Sequence, residues 1–162
     1  MTLALARVDD RLVHGQVVLA WGQALPAARV LVADDALAAS AWERELVRTS
    51  ASDLEVRVVA LADLPSLLAE EAGRPGAAIL LFRTPAAALA ARRAGAQFAE
   101  LDVGGLHYAP GKERVLDYLF LDAGDRQALA ALAAAGVRVF AQDVPSARPL
   151  EAAEWLDREA RG

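Results

Sequence analysis

The sequence lacks cysteine, and Lys112 is its only lysine among 17 basic residues. Without cysteine there are no disulfides, no thiol catalysis and no cysteine-ligated metal centres. The arginines are scattered and the net charge is −5, so the clustered basic stripe that nucleic acids require is missing. These absences exclude redox chemistry at sulfur and disfavour nucleic acid as a partner.

Long hydrophobic runs are also missing, although 56% of the residues are hydrophobic. Charges interrupt each apolar stretch well before it reaches the roughly 20 residues that span a bilayer. The first residues have neither the basic start nor the apolar stretch of a secretory signal. The 162 residues fit one domain, 1–162, with a single core. We therefore expect one soluble cytoplasmic domain.

Short apolar runs alternate with stretches of helical periodicity along the whole chain. The runs predict strands at 3–8, 29–33, 54–61, 77–82, 98–103, 115–121 and 137–142. Helices are predicted at 15–23, 36–50, 62–72, 85–94, 125–135 and 150–161. This alternation predicts an α/β fold with an open, mainly parallel sheet of about seven strands and helices on both faces.

Ligands of such sheets bind beyond the carboxyl ends of the strands, which directs attention to four loops. These loops follow Val8, Ala33, Phe82 and Val103. The last one is predicted to be long and irregular, from Gly104 to Gly111, and loops of that length are often functional.

The loop after Val8 concentrates charged residues and one of the two histidines before a predicted helix. Unpaired N–H groups at a helix start favour an anion, which suits a phosphoryl group on His14, and Arg11 can donate to its oxygens. The alternative is structural: His14 caps the helix or packs in the loop, and Arg11 pairs with Asp9 or Asp10. Spacing alone leaves both interpretations open.

The other loops offer weaker candidates. Arg83 and Thr84 follow the apolar strand 77–82 and lie at the same predicted edge, although Thr84 is better explained as a helix cap before Pro85. His107 is a lone histidine in the long loop and is expected on the surface, where it can contact a partner. The tryptophans at helical positions are expected in the core or at an interface: Trp21, Trp42 and Trp155.

One segment resembles a known signature. The string RVDDRLVHGQV at 7–17 resembles the active-site motif of enzyme IIB of the mannose/fructose/sorbose family of the phosphotransferase system. Similarity continues over nearly the whole chain, at 32–35, 101–105, 111–112, 136–137 and 142–145.

This resemblance implies that His14 accepts a phosphoryl group from a phosphohistidine on a IIA protein and transfers it to a sugar held by membrane IIC and IID permease components. The chain would then be a phosphohistidine–sugar phosphotransferase, cytoplasmic and peripheral to the membrane through its permease, with no metal or other cofactor. Arg11 matches the arginine that steadies the phosphoryl group. Further candidates for the phosphoryl site are Asp10, Gly15, Gln16, Arg83, Thr84, Asp102 and Gly104.

Two residues depart from the family pattern, which commonly has asparagine at Asp34 and at Asp102. A carboxylate facing the site would repel the incoming anion, so Asp102 points away, pairs with an arginine or weakens the site. An alternative function is a regulatory phosphoprotein that senses phosphorylation without sugar transport. A nucleotide-binding domain is disfavoured, because neither a GxGxxG nor a Walker loop follows a strand.

Overall fold

The computed structural model describes residues 2–15, 17–51 and 53–157. Its strands are β1 (Thr2–Asp9), β2 (Ala27–Ala33), β3 (Glu55–Val59), β4 (Ala77–Phe82), β5 (Glu100–Gly105), β6 (Glu113–Leu116), β7 (Leu119–Leu121), β8 (Arg138–Ala141) and β9 (Leu150–Glu151). In this part of the chain, seven strands form one sheet in the order β3-β2-β4-β1-β5-β8-β9. Only β9 runs antiparallel to its neighbour within that sheet. The predicted open, mainly parallel sheet is confirmed.

Helices connect the strands and cover both faces. They are α1 (Gly22–Ala24), α2 (Asp35–Ala38), α3 (Ala41–Ser50), α4 (Leu64–Ala72), α5 (Pro85–Arg93), α6 (Ala123–Ala134) and α7 (Ala152–Trp155), with a π-helical turn at Val17–Trp21 and a 3₁₀ turn at Leu61–Asp63. No helix within the described ranges is long and apolar enough to cross a bilayer.

Alternate residues of the strands feed two cores, one on each face of the sheet. Leu31 and Leu80 are fully buried in the first core with residues of α4, α5 and α6. Their neighbours Val30 and Ile79 are fully buried in the second core, where Trp21 packs. Each buried side chain of this size contributes about 1.5–3 kcal/mol of transfer free energy. This burial on both faces explains the continuous apolar runs of the sequence.

The topology opens a crevice beside the central strand β1. Along the chain, β1 is followed by β2 on one side of the sheet, whereas β5 is followed, after the hairpin of β6 and β7, by β8 on the other side. At the carboxyl ends, Asp9 of β1 lies in register with Gly105 of β5. Such a switch point is the usual ligand position in open α/β sheets.

The predicted strand 115–121 is wrong as a single element. The structure has an antiparallel hairpin of β6 and β7 with Asp117 and Tyr118 between the two strands. A two-residue hairpin connection usually contains glycine or asparagine, and this one contains neither, so the sequence shows one continuous run.

Three predicted helices also differ from the structure. The predicted helix 15–23 is a π-helical turn followed by the short α1. The predicted helix 36–50 is two helices, because the Ser40 hydroxyl accepts a hydrogen bond from Glu43 N (3.2 Å) and begins α3. The predicted helix 150–161 starts as strand β9 and continues as α7, and residues 158–161 lie outside the described residues.

The tryptophans divide into two groups. Trp21 and Trp155 are buried, as expected of core residues, whereas Trp42 on α3 is 73% exposed. The core alternative is therefore wrong for Trp42, and an interface remains a prediction.

Candidate functional site at the carboxyl edge of the sheet

The loop after β1 starts with a tight turn. The N–H of Leu12 donates to the carbonyl of Asp9 at 2.9 Å, and Leu12 has a φ of 52°. A left-handed conformation costs about 1–2 kcal/mol for a residue with a side chain. Burial of the Leu12 side chain in the second core offsets this cost. The turn brings Arg11 and His14 within hydrogen-bonding distance of the Asp9 side chain.

The Asp9 carboxylate is the centre of the site and is completely buried. It accepts hydrogen bonds from the backbone N–H of Arg11 (3.0 Å), from Arg11 Nε (3.3 Å) and from Arg7 Nη2 (3.3 Å), and His14 Nε2 lies 3.3 Å away. Burial alone would raise the pKa of Asp9. The hydrogen bonds from Arg11, the charge of Arg7 and the contact with His14 outweigh burial and lower that pKa. Asp9 is therefore ionised at neutral pH.

His14 is held beside this carboxylate with 18% of its side chain exposed. Burial lowers the pKa of His14, the charges of Arg11 and Arg7 lower it further, and Asp9 only partly opposes them. The ring is therefore neutral at physiological pH. Because Asp9 can only accept, we assign the ring proton to Nε2, which leaves the lone pair on Nδ1.

Arg7, which the sequence reasoning did not single out, lies on β1 and is 1% exposed. Its Nη1 donates to Asp102 Oδ2 (2.6 Å) and to the carbonyl of Gln142 (2.8 Å). Its Nη2 donates to Asp9 and to the carbonyl of Asp143 (3.1 Å). The sequence does contain a signal for Arg7, which lies between Ala6 and Val8 in a strand covered on both faces. An arginine at such a position is buried, and a buried charge requires partners.

Asp102, one of the two departures from the family pattern, is paired with an arginine. It is completely buried on β5, and its Oδ1 accepts the N–H of Gln142 at 2.8 Å while Oδ2 contacts Arg7. Burial raises the pKa of Asp102 to about 7, and the charge of Asp9 adds to the increase, although Arg7 and the Gln142 N–H oppose it.

Gly104 lies within β5 rather than in the predicted loop, and it packs against Arg7. A Cβ atom at this position would lie 1.9 Å from the guanidinium carbon of Arg7. The absence of a side chain at Gly104 thus makes room for Arg7. At Gly105 a Cβ would lie 3.0 Å from Asp9 Oδ2.

Arg83 and Thr84 lie at the same edge but have structural partners. Arg83 binds both carboxylate oxygens of Asp34 (3.0 and 3.1 Å). Asp34 caps α2 by accepting the N–H of Leu37, and these contacts hold the pKa of Asp34 below its usual value although burial opposes them. Thr84 Oγ1 accepts the N–H of Ala87 at 3.0 Å, which confirms the predicted cap of α5.

Asp10 joins the loop after β1 to the loop after β5. It accepts the backbone N–H of His107 (2.7 Å), and its other oxygen lies 2.6 Å from His107 Nδ1. The His107 side chain is 58% exposed, as expected for a surface residue. Gly15 is exposed and follows His14 directly, whereas Gln16 lies outside the described residues.

A cavity of about 240 Å³ lies beside Arg11. Its lining includes Arg11, Gly104, His107, Tyr118, Asp143 and Val144. The site therefore opens to solvent on the side of Arg11, whose side chain is 43% exposed.

The fold and the site together define a class of protein: an open α/β domain that presents a neutral histidine, an orienting carboxylate and a half-exposed arginine at the carboxyl edge of its sheet. Such a histidine suits nucleophilic chemistry at a ring nitrogen. The model of the sorbose-subfamily IIB component of the phosphotransferase system matches residues 3–161. The chain belongs to this family.

Individual relatives agree with this assignment. The chain is 34% identical over 140 residues to the sorbose-specific EIIB component of Klebsiella pneumoniae, covering 86% of this chain and 85% of the relative. It is 34% identical over 145 residues to N-acetylgalactosamine-specific enzyme IIB component 2 of Escherichia coli, covering 89% and 92%. The crystal structure of the IIBSor domain of the Klebsiella pneumoniae sorbose permease superposes with a TM-score of 0.84, at 32% identity and 93% coverage of both chains.

Proposed function

We propose that this chain is a phosphocarrier that accepts a phosphoryl group on His14 from a phosphorylated IIA protein and transfers it to a sugar held by membrane IIC and IID components. The observation that carries the proposal is the contact of 3.3 Å between His14 Nε2 and the buried Asp9 carboxylate. This contact fixes the ring and leaves Nδ1, which has no hydrogen-bond partner among the described residues, to attack. The chain works at the cytoplasmic face of the membrane.

The transfer follows from these contacts. Nδ1 of His14 attacks phosphorus in line, the new N–P bond forms, and the donor imidazole leaves with the electron pair of the old bond. The ring of His14 becomes positively charged when Nδ1 is bonded, and the Asp9 carboxylate at Nε2 stabilises that charge. In the second step the sugar hydroxyl attacks phosphorus and a new O–P bond forms. The N–P bond breaks with its electron pair returning to Nδ1, which leaves the ring neutral, and the hydroxyl proton is released to water.

Arg11 supplies the fixed positive charge for the phosphoryl oxygens. Its guanidinium is anchored to Asp9 and remains 43% exposed, so it borders both His14 and the open side of the site. Phosphoryl transfer depends mainly on positioning and charge stabilisation, because the transition state is loose and its charge is spread over the oxygens.

The sugar is proposed to be a hexose or an amino sugar. The two relatives at 34% identity carry the names of sorbose-specific and N-acetylgalactosamine-specific components.

Incubation with a phosphorylated IIA protein of a mannose-type system, followed by mass mapping, tests the function. We expect one phosphoryl group on His14, in an acid-labile and alkali-stable bond, and none on a His14→Gln variant. A His107→Gln variant is the matched control and should be phosphorylated normally. Modification of His107 or of a hydroxyl would contradict the proposal.

The IIA protein should dock on the edge formed by the loops after β1 and β5, because His14 and Arg11 are reached from there. Exposed apolar side chains in these loops and near them, Tyr108, Val144 and Leu19, offer contact area. NMR titration with IIA should shift resonances of this edge, and shifts centred on the opposite edge of the sheet would rule out this docking.

A further inference from the structure

The buried carboxylate of Asp102 takes no direct part in the proposed phosphoryl transfer. Its Oδ2 lies 2.6 Å from Arg7 Nη1, whereas Arg7 Nη2 reaches Asp9 at 3.3 Å. Asp9 is in turn 3.3 Å from His14 Nε2. Arg7 therefore pairs with two buried carboxylates, Asp102 and Asp9. It lies closer to Asp102, which is the carboxylate that does not contact His14 in this chain of contacts.

We propose that Asp102 is a positioning residue that acts through Arg7: by drawing the guanidinium toward itself, it limits the positive charge offered to a phosphoryl group on His14 and keeps that group easily transferred. This inference rests on the proposed function of His14 as the phosphoryl acceptor.

The effect of Asp102 depends on charge balance. A guanidinium is a permanent cation in proteins, so the positive charge that Arg7 offers to a ligand depends on its counter-ions. With Asp102 ionised, one guanidinium is shared by two carboxylates, and a phosphoryl dianion on His14 gains little from it. With Asp102 neutral, the guanidinium is paired with Asp9 alone. Three contacts of 2.6, 3.3 and 3.3 Å join Asp102 to His14 through Arg7 and Asp9. Across such a separation, at an effective dielectric constant of about 20, removal of one charge changes an equilibrium of this kind roughly tenfold.

The surroundings of Asp102 support this role. Among the described residues, the charged groups that act on Asp102 are Arg7 and Asp9 on β1, and Tyr118 between β6 and β7 is close enough to be affected by the charge of Asp102. The pKa of Asp9 is lowered, and burial raises the pKa of Tyr118 to about 12, so neither changes charge near neutral pH. The pKa of Asp102 is about 7, so its charge does change there.

The test compares two isosteric variants at the same edge. Asp102→Asn removes the charge beside Arg7. The matched control is Asp34→Asn, because Asp34 is 7% exposed and paired with Arg83 but has no contact with Arg7 among the bonds described. The ratio of phosphorylated to free chain is measured at equilibrium with a phosphorylated IIA protein. We expect Asp102→Asn to raise this ratio roughly tenfold at pH 8 and to leave it near the wild-type value at pH 5.5, where Asp102 is already protonated.

Asp34→Asn should change the ratio less than twofold at either pH. An equal ratio for wild type and Asp102→Asn at pH 8 would overturn the proposal, as would an equal increase in both variants. If Asp102→Asn does not fold, Asp102→Ser removes the same charge and retains an acceptor for the Gln142 N–H.

A second measurement needs no donor protein. In the wild type, the ring ¹⁵N shifts of His14 should show an inflection at the pH where the ¹³C signal of the Asp102 carboxyl titrates, and Asp102→Asn should lose that inflection. Its absence from the wild type would overturn the proposal. If His14 is never phosphorylated, the proposed function fails, and the ¹⁵N titration still decides whether Asp102 is coupled to His14.

Discussion

Two buried ion clusters lie at opposite edges of the same sheet and are built in opposite ways. The carboxyl-edge cluster has one buried arginine, Arg7, shared by two buried carboxylates, Asp9 and Asp102. The amino-edge cluster has one completely buried carboxylate, Glu71, which three arginines surround. They are Arg29 (2.5 Å), Arg57 (2.9 Å) and Arg74 (2.9 Å).

The difference in stoichiometry distinguishes a structural cluster from the cluster that we propose to be reactive. Burial would raise the pKa of Glu71, but its three arginine partners lower it, so this carboxylate stays ionised. At the carboxyl edge the carboxylates outnumber the buried arginine, and the pKa of Asp102 rises to about 7. A buried ion pair is by itself weak support for stability or function. The carboxyl-edge cluster differs because one of its carboxylates, Asp9, contacts a histidine and its second arginine, Arg11, is half exposed.

The largest effect is expected from Gly104→Ala. The added Cβ would overlap the Arg7 guanidinium, which is pinned by two carboxylates and two carbonyls and cannot swing away without leaving Asp9 and Asp102 unpaired. Breaking a buried pair in this way costs about 3–5 kcal/mol. Chemical denaturation should show a loss of unfolding free energy of that size.

Gly73→Ala is the matched control beside the amino-edge cluster. Gly73 has a φ of −85° and open space around its Cβ position, so the variant should unfold within about 0.5 kcal/mol of the wild type. Equal stability of the two variants would show that Arg7 is free to move.

Next in size is the effect of Arg11→Ala on phosphoryl transfer. Losing one well-placed donor to the developing charge costs on the order of a hundredfold to a thousandfold in rate. The fold should lose only about 1 kcal/mol, because Asp9 keeps Arg7 and the backbone N–H of residue 11. Transfer from phosphorylated IIA and thermal unfolding measure the two effects.

Arg74→Ala is the corresponding change at the amino edge, since Arg74 is also half exposed and also borders a buried carboxylate. It should leave the transfer rate unchanged. Arg11→Lys keeps the charge but loses the planar fork, so it should recover part of the rate. Normal transfer by Arg11→Ala with a lowered melting temperature would make Arg11 structural.

Much of the fold could be predicted from the sequence, because a strand that is buried on both faces of a parallel sheet has a short, continuous apolar run. The predicted strand 77–82 has the same bounds as β4. The hairpin at Asp117 and Tyr118 was missed because its turn has no glycine or asparagine. The π-helical turn at Val17–Trp21 was missed because its hydrophobic positions resemble those of an α-helix.

The site was predictable only where residues are adjacent in the chain. His14 and Arg11 are three positions apart, so one loop suggests both. Arg7 and Asp102 are 95 positions apart, and their contact depends on β1 and β5 being neighbours in the sheet. The sequence pattern predicts that strands exist, but it leaves their order open, and without that order the partner of a buried arginine stays unknown.

The two clusters should also respond to pH in opposite directions. The folded-state pKa of Asp102 is raised to about 7, so the stability that it contributes is present at low pH and is lost as pH rises from about 4 to about 7. The pKa of Glu71 is lowered, so its contribution is present above about pH 4.5 and is lost as pH falls below that value.

Denaturation from pH 4 to pH 8 measures both effects against Asp102→Asn and Glu71→Gln. The stability of the wild type relative to Asp102→Asn should fall with rising pH, by at most about 1.4 kcal/mol per unit. Relative to Glu71→Gln it should be constant above pH 5. If the stability difference changed with pH by the same slope in both comparisons, of wild type with Asp102→Asn and of wild type with Glu71→Gln, the stoichiometry of the clusters would not set their charge.

The smallest effect is expected from Thr84→Ala, which tests whether a residue at the carboxyl edge also takes part in the site. Thr84 follows β4 at the same edge as His14, and its hydroxyl caps α5 through the N–H of Ala87. Thr84→Ala should therefore cost about 1 kcal/mol of unfolding free energy and leave the rate of phosphoryl transfer unchanged. Ser40→Ala is the matched control, because Ser40 caps α3 in the same way, through the N–H of Glu43. Equal thermal shifts with normal transfer in both variants would make Thr84 a cap and nothing more, whereas a transfer defect confined to Thr84→Ala would extend the site from Asp9 and His14 across the sheet edge to β4.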